Sequence, residues 1–517
     1  MTNTKPYKLN MSFDNLLSAI TRRIRDNPKT PRLSIRLYRH GLGDCSLLRF
    51  SQADGSTYNV LIDCGLINAA GGAKETMGQV VSDISQACNN RIDVVVMTHE
   101  HWDHVSGFST QKALFDKIDI GEAWYAWTED PTHALGMRLR SERAKKVAAL
   151  TAAVQAFRSN PTSPIATSRA DSINSVLQFF GATTDPTDES EPATPASPIG
   201  RTRKAFDYFV NRNGVKVRYL QPTKTPFSLA NIPGVRIFVL GPPEDETFIK
   251  KSAPTKSGRE VYEMAAEADL ADNVRDAFIR MAALPESLSD GHADCPFDLA
   301  WHQSPDMIRS TISPELRVLL EQTWDQPDEE WRRIKDDWTH VAETLALNLD
   351  NHTNNTSLVL AFEFIDSGEV FLFPADAQVG NWLSWQRMQW TLSEDSGSTR
   401  VTANDLLRRT VFYKVGHHGS HNATLRELGL EQMHSDDLIA YIPVVQQQAR
   451  KSGWTGMPFP PLVQRLREKT QGRLLQADDL DLPSDDVLRG LSSTAKAKFR
   501  NTTLLDPNKL FVELTYF

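Results

Sequence analysis

Short apolar runs punctuated by polar turns open the chain, and their spacing predicts strands before it predicts helices. Residues 33–50 read LSIRLYRHGLGDCSLLRF, two β-like runs around a glycine-rich turn at 41–43. Residues 58–63 (YNVLID) are apolar and β-branched, and close on Cys64-Gly65. Helical spacing follows over 76–87, and then 93–97 (DVVVM), an apolar run before polar Thr98, gives another buried-strand signal. Strand, turn, strand, helix, strand is the beginning of an α/β layer structure.

Beyond Trp127 the pattern changes. A long helix is predicted over 139–157, and 181–200 (GATTDPTDESEPATPASPIG) reads as a solvated, flexible loop that cannot bury a core. Strand character returns at 215–220 and 235–240, whereas 244–350 is largely helical and polar without a chemistry-bearing motif. Strands resume at 357–364 and 369–373, joined by the hairpin turn Asp366-Ser367-Gly368, then at 410–415, 438–445 and 509–517. The organisation expected is an N-terminal extension (1–32), one layered domain (33–445) interrupted by a mainly helical insertion (130–350), and a C-terminal extension (446–517) packing on the domain.

Charge narrows the function classes. Lys and Arg number 57 against 65 Asp and Glu, a net charge of −8, which argues against a whole-surface nucleic-acid binder but leaves room for a local basic groove. Cys45, Cys64, Cys88 and Cys295 form no CxxC pair, so buried reduced thiols are expected rather than a disulfide scaffold. No window reaches the ~18 apolar residues of a membrane span, and residues 1–25 lack a secretory signal pattern. A soluble, cytoplasmic protein is expected.

The chemistry lies in the histidines, whose placement is uneven. His99, His101 and His104 fall in THEHWDH, and His417, His418 and His421 in KVGHHGSHNAT, each group directly after a strand signal. In open α/β structures ligands bind at the loops beyond the carboxyl ends of strands. In an extended loop His99 and His101 point to one side, so both can meet one cation, while Asp103 and His104 can address a second where the chain bends away. Imidazole plus carboxylate suits zinc, manganese or iron. Adjacent residues leaving a strand point oppositely, so only one of His417 and His418 is expected to reach a cation; His418 is taken as the ligand and His417 as a proton donor or substrate contact. His421 reads as a site-edge residue and His40 as a weaker candidate; His133, His292, His302, His340 and His434 read as ordinary.

This sequence resembles the metallo-β-lactamase fold hydrolases. Their H-x-H-x-D-H signature is matched by His99-Glu100-His101-Trp102-Asp103-His104, their early strand ending in Asp and Gly by residues 58–65, their strand ending in a metal-bridging aspartate by 371–377, and their final histidine motif by 414–420. By wording it is most similar to the hydrolase domains of bacterial competence proteins for DNA internalisation and their free-standing soluble cousins, which share a turn like Gly41-Leu42-Gly43-Asp44 and a strand like 355–360. The resemblance implies a four-layer αββα sandwich and a dinuclear centre. His99 and His101 would hold one divalent ion; Asp103, His104 and one of the pair His417 and His418 the other; Asp376 would bridge both, with Asp63 and Asp44 behind the ligands. Where most of the family has a further histidine in a Gly-His-Thr context, this chain reads Asn351-His352-Thr353, so His352 is either an additional ligand or an exposed loop histidine.

Two further groups bear on substrate. Trp124, Tyr125 and Trp127 either belong to the core or stack a base or sugar. Arg138, Arg140, Arg143, Lys145 and Lys146 read as a solvated helix face, with Arg201, Arg203 and Lys204 forming a second basic group. The function expected is water activation by two divalent cations, zinc first and manganese or iron otherwise, with Asp103, Asp376 and His417 as the catalytic set, acting on a small-molecule or nucleic-acid phosphodiester. The alternatives are another ester, lactone, thioester or β-lactam substrate, or a non-catalytic metal-binding scaffold.

Overall fold

A computed structural model describes residues 31–67, 72–158, 164–181, 198–222, 224–251, 312–323, 345–394, 397–451, 454 and 456–517. In chain order the strands are β1 (Leu33–Tyr38), β2 (Cys45–Ser51), β3 (Thr57–Cys64), β4 (Arg91–Met97), β5 (Asp119–Ala126), β6 (Lys216–Leu220), β7 (Phe227–Leu229), β8 (Ile232–Gly241) and β9 (Val359–Phe364). They continue with β10 (Val370–Phe373), β11 (Gln389–Glu394), β12 (Gly397–Thr402), β13 (Thr410–Lys414), β14 (Ile439–Ile442), β15 (Leu474–Gln476), β16 (Thr503–Leu505) and β17 (Phe511–Tyr516). One sheet has the order β16-β17-β1-β2-β3-β4-β5-β6, the other β15-β14-β13-β10-β9-β8-β7, with β11-β12 a separate hairpin.

Both sheets are mixed. β3 to β6 are parallel and β1 to β3 antiparallel in the first; β10, β13, β14 and β15 are parallel and β7 to β10 antiparallel in the second. The unbroken apolar runs have a physical cause, because the central strands are covered on both faces. Val60, Ile62, Val94 and Val96 meet Phe362, Phe371, Phe412 and Tyr441 in the inner core between the sheets. Their neighbours Leu61, Val95 and Met97 point the other way, under helices α1 (Ala73–Ala87) and α2 (Trp102–Thr110). The result is the expected αββα sandwich with a helical insertion.

Stretches read as accessory contribute to the sheets themselves. β6, β7 and β8 lie inside 130–350 yet pair with β5 and β9, and the tail after 446 supplies β15, β16 and β17. Helices α3 (Ala134–Arg158), α4 (Pro164–Gln178) and α5 (Pro198–Phe206) make up the described part of the insertion beside the first sheet. Most of the 181–200 tract, nearly all of 1–32, and Cys295, His292, His302 and His340 lie outside the described residues. Cys45, Cys64 and Cys88 are free and buried. Trp124, Tyr125 and Trp127 are core residues, each no more than 1% exposed.

Candidate metal centre

Four chain segments converge at one end of the sandwich, each leaving the carboxyl end of a parallel strand: Asp63 on β3, residues 98–104 after β4, Asp376 after β10 and His417-His418 after β13. The first arm changes form in the middle. His101 is still extended (φ −116°, ψ 148°), and α2 begins at Trp102, so Asp103 and His104 leave from the first helical turn. Close backbone approach holds this arm in place. A Cβ on Gly65 would lie 2.3 Å from the Asp103 carbonyl carbon, and one on Gly43 would lie 2.2 Å from the Gly65 oxygen. The Gly41–Asp44 turn therefore acts as a seat for the histidine loop. Asp63, Ala375, His417 and His418 all have φ between 42° and 54° without being glycine, a conformation that costs of order 1–3 kcal/mol each and concentrates at functional sites.

Two groups of donor atoms share one carboxylate. Asp103, His104, Asp376 and His418 place one donor each within 4.8 Å of one another, and so do His99, His101 and Asp376. His99 Nε2 faces His101 Nδ1 at 3.0 Å, His104 Nε2 lies 3.1 Å from Asp376 Oδ2, and His418 Nε2 lies 2.8 Å from Asp103 Oδ2. The far side of three of these rings is anchored. His104 Nδ1 meets Asp63 Oδ2 at 2.7 Å, His418 Nδ1 meets the Pro443 carbonyl at 3.0 Å, and His99 Nδ1 meets Thr98 Oγ1 at 3.1 Å. Asp63 also accepts the Thr98 N–H at 3.0 Å and its hydroxyl at 2.6 Å, so one carboxylate fixes both the loop and a ring.

The donors fit a pair of cations. His104 Nε2, Asp376 Oδ2 and Asp103 Oδ1 are buried without a hydrogen-bond partner, a costly state for polar atoms that a bound cation relieves. The charges agree. Burial opposes charge on His104, but Asp376, Asp103, Asp63 and Asp44 outweigh it and raise its pKa well above the usual range, so these carboxylates call for a positive charge that a bound cation would supply beside a neutral ring. Burial, with neighbouring histidines, pushes His99 well down, and burial brings His101 to about 3 despite Asp103 nearby, so both rings are neutral as ligands must be. A third group, Asp44, Asp63 and His104, is already charge-paired by a lysine. The Lys414 ammonium is bonded to Asp44 and lies 3.8 Å from Asp376 Oδ1.

The remaining candidates separate cleanly. His417 lies outside both donor groups. It and His418 occupy a tight turn at positive φ, so it is this turn rather than strand alternation that parts the two rings, whose centroids are 6.0 Å apart. His352 is also outside both groups, its Nδ1 3.4 Å from Lys146 Nζ. His40 is bonded to the Gly65 carbonyl at 2.7 Å, His421 lies 6.1 Å from the Phe459 ring, and His133 packs on Trp127. Arg143 and Lys146 are buried rather than on a solvated face. Arg143 and Arg203 are paired with Glu100 and Glu129 at 2.5–3.3 Å, and Arg201 stacks over Trp102, so α3 and α5 grip the histidine loop from outside.

Three polar residues escaped the sequence reading. Asp350 is buried with Oδ1 4.0 Å from His101 Nε2. Gln378 and Asn422 stand behind His417: Gln378 Nε2 meets His417 Nδ1 at 3.1 Å, while Gln378 Oε1 accepts from Asn422 at 3.0 Å. A signal for Asp350 did exist, because it lies on the otherwise closed stripe Ala346, Leu349, Thr353 of the helix over 345–354.

The sequence profile of the Metallo-beta-lactamase superfamily matches residues 39–123, from the end of β1 through most of β5. The fold is that of the metallo-β-lactamase superfamily. No curated protein and no solved structure matches the chain. In this metallo-β-lactamase frame the two donor groups are consistent with a dinuclear metallohydrolase site, one arm on each sheet. No helix among the described residues is long and apolar enough to cross a membrane.

Proposed function

We propose that this chain is a hydrolase that uses two divalent cations, zinc foremost and manganese or iron otherwise, to cleave phosphodiesters, nucleic acid among them. The observation that carries the reading is Asp376, a single carboxylate common to both donor groups. Two ions so held supply Lewis acidity and lower the pKa of water. His99 and His101 would hold one, and Asp103, His104 and His418 the other. Asp376 Oδ1 accepts the His417 N–H at 3.0 Å, which leaves Oδ2, 3.1 Å from His104 Nε2, buried and without a hydrogen-bond partner. Because Gln378 donates to its Nδ1, a neutral His417 carries its proton on Nε2, which has no partner of its own. That proton serves the charged oxygen of a substrate or leaving group. The phosphodiester class rests on the turn at 41–44 and the strand at 355–360, which share their wording with the competence-type hydrolases.

The test is zinc repletion of the purified protein with metal analysis, followed by bis-(p-nitrophenyl) phosphate, single-stranded DNA, a lactone and a thioester as substrates. About two ions per chain and phosphodiester turnover abolished in Asp376→Asn are expected. A stoichiometry near zero would sink the centre. Two ions with turnover of the lactone or thioester alone would replace the substrate class, and two ions with no turnover at all would leave a scaffold.

A further inference from the structure

Each ring that faces the metal centre has its second nitrogen held by a neighbour, except His101. Its Nδ1 faces His99, so its Nε2 points away from that contact. Nε2 is buried without a hydrogen-bond partner, and so is Asp350 Oδ1, 4.0 Å from it. Two orphaned polar atoms of opposite kind thus face each other about an ångström beyond hydrogen-bond range. The carboxylate is itself steered, since Asn354 Nδ2 donates to Asp350 Oδ2 at 3.0 Å. Phe180 meets the imidazole edge-on at 4.7 Å and Phe179 lies 5.6 Å away, so the ring is also bounded by apolar walls.

We propose that Asp350 is the positioning residue of His101: it accepts the Nε2 proton, fixes the tautomer that leaves Nδ1 free, and so orients this ring toward the first cation. The proposal rests on the two-cation reading above. A carboxylate behind a ligating imidazole raises its basicity, and removing such a partner typically costs 10–100-fold in metal affinity. The second cation, held by Asp103, His104 and His418, has its own supports in Asp63 and Pro443 and does not depend on Asp350.

Cobalt(II) titration of the metal-free protein tests this, read by visible absorption and calorimetry on the wild type, Asp350→Ala and the near-isosteric Asp350→Asn. Asp350→Ala is expected to weaken one of two cobalt sites by roughly 10–100-fold and leave the other unchanged. Asp350→Asn keeps an acceptor oxygen and should recover part of that loss with a wild-type absorption band. It also decides the matter should the alanine variant fail to fold. Wild-type affinities at both sites in both variants would overturn the proposal. So would complete loss of one cobalt from both, since Asp350 would then be a ligand itself. A wild type that binds no cobalt would instead bring down the two-cation reading.

Discussion

His417 and His418 are neighbours in sequence with different surroundings. His418 has Nε2 among the donors and its Nδ1 on the Pro443 carbonyl, whereas His417 has Nδ1 on Gln378 and an unpartnered Nε2. His418→Ala is therefore expected to lower metal occupancy. His417→Ala should keep the metal and slow turnover by roughly 10²–10⁴-fold, the usual worth of a lost proton-transfer partner. Metal analysis alongside kinetics checks this, and stripping of metal by His417→Ala alone would reverse the two roles. At this scale the donors were legible because imidazoles and carboxylates crowd into two short motifs. Gln378 and Asn422 were not, since a lone Gln or Asn gains meaning only from the ring it stands behind, and Asp350 showed only as an acidic residue on an otherwise closed helix stripe.

Between the histidine loop and helices α3 and α5 lies a buried ion network in which Glu100 and Glu129 share Arg143 and Arg203. Burial alone would raise Glu129, but Arg143 and Arg203 outweigh it and bring its carboxyl from the ordinary 4.5 down to about 2. A depressed folded-state pKa adds stability that is fully present above 4.5 and is lost as pH falls from there toward about 2. Urea midpoints measured across that interval should fall for the wild type and fall less steeply for Glu129→Gln. Parallel slopes would show that the network does not favour the ionised form. The sequence reading placed α1 and α3 within a few residues, because a helix declares itself by apolar spacing. It took Arg143 for a solvated residue, because a charge paired beneath another element looks the same in sequence as one facing water.

The whole molecule draws the two arms of its centre from different sheets, and several of the donors are sealed from water without partners. Chelation is accordingly expected to lower the unfolding temperature by several degrees and zinc to restore it, since a ligand at roughly 100 times its Kd stabilises the fold by about 2.7 kcal/mol per site. Identical melting curves with and without chelator, on protein that carried two ions, would show the donors to be adequately satisfied by one another. The layered class was legible in the apolar runs, but which strands sit side by side was not. β1 joins β17, and the Arg36–Glu513 ion pair that seals them spans 477 residues of sequence. Nothing local can announce such a pairing. It has a consequence for biosynthesis: a nascent chain emerging from the ribosome exposes β1 as an open edge until Phe511–Tyr516 has been translated. The histidines of the first motif likewise wait for Asp376 and His418, so metal should be loaded only after those residues have been made.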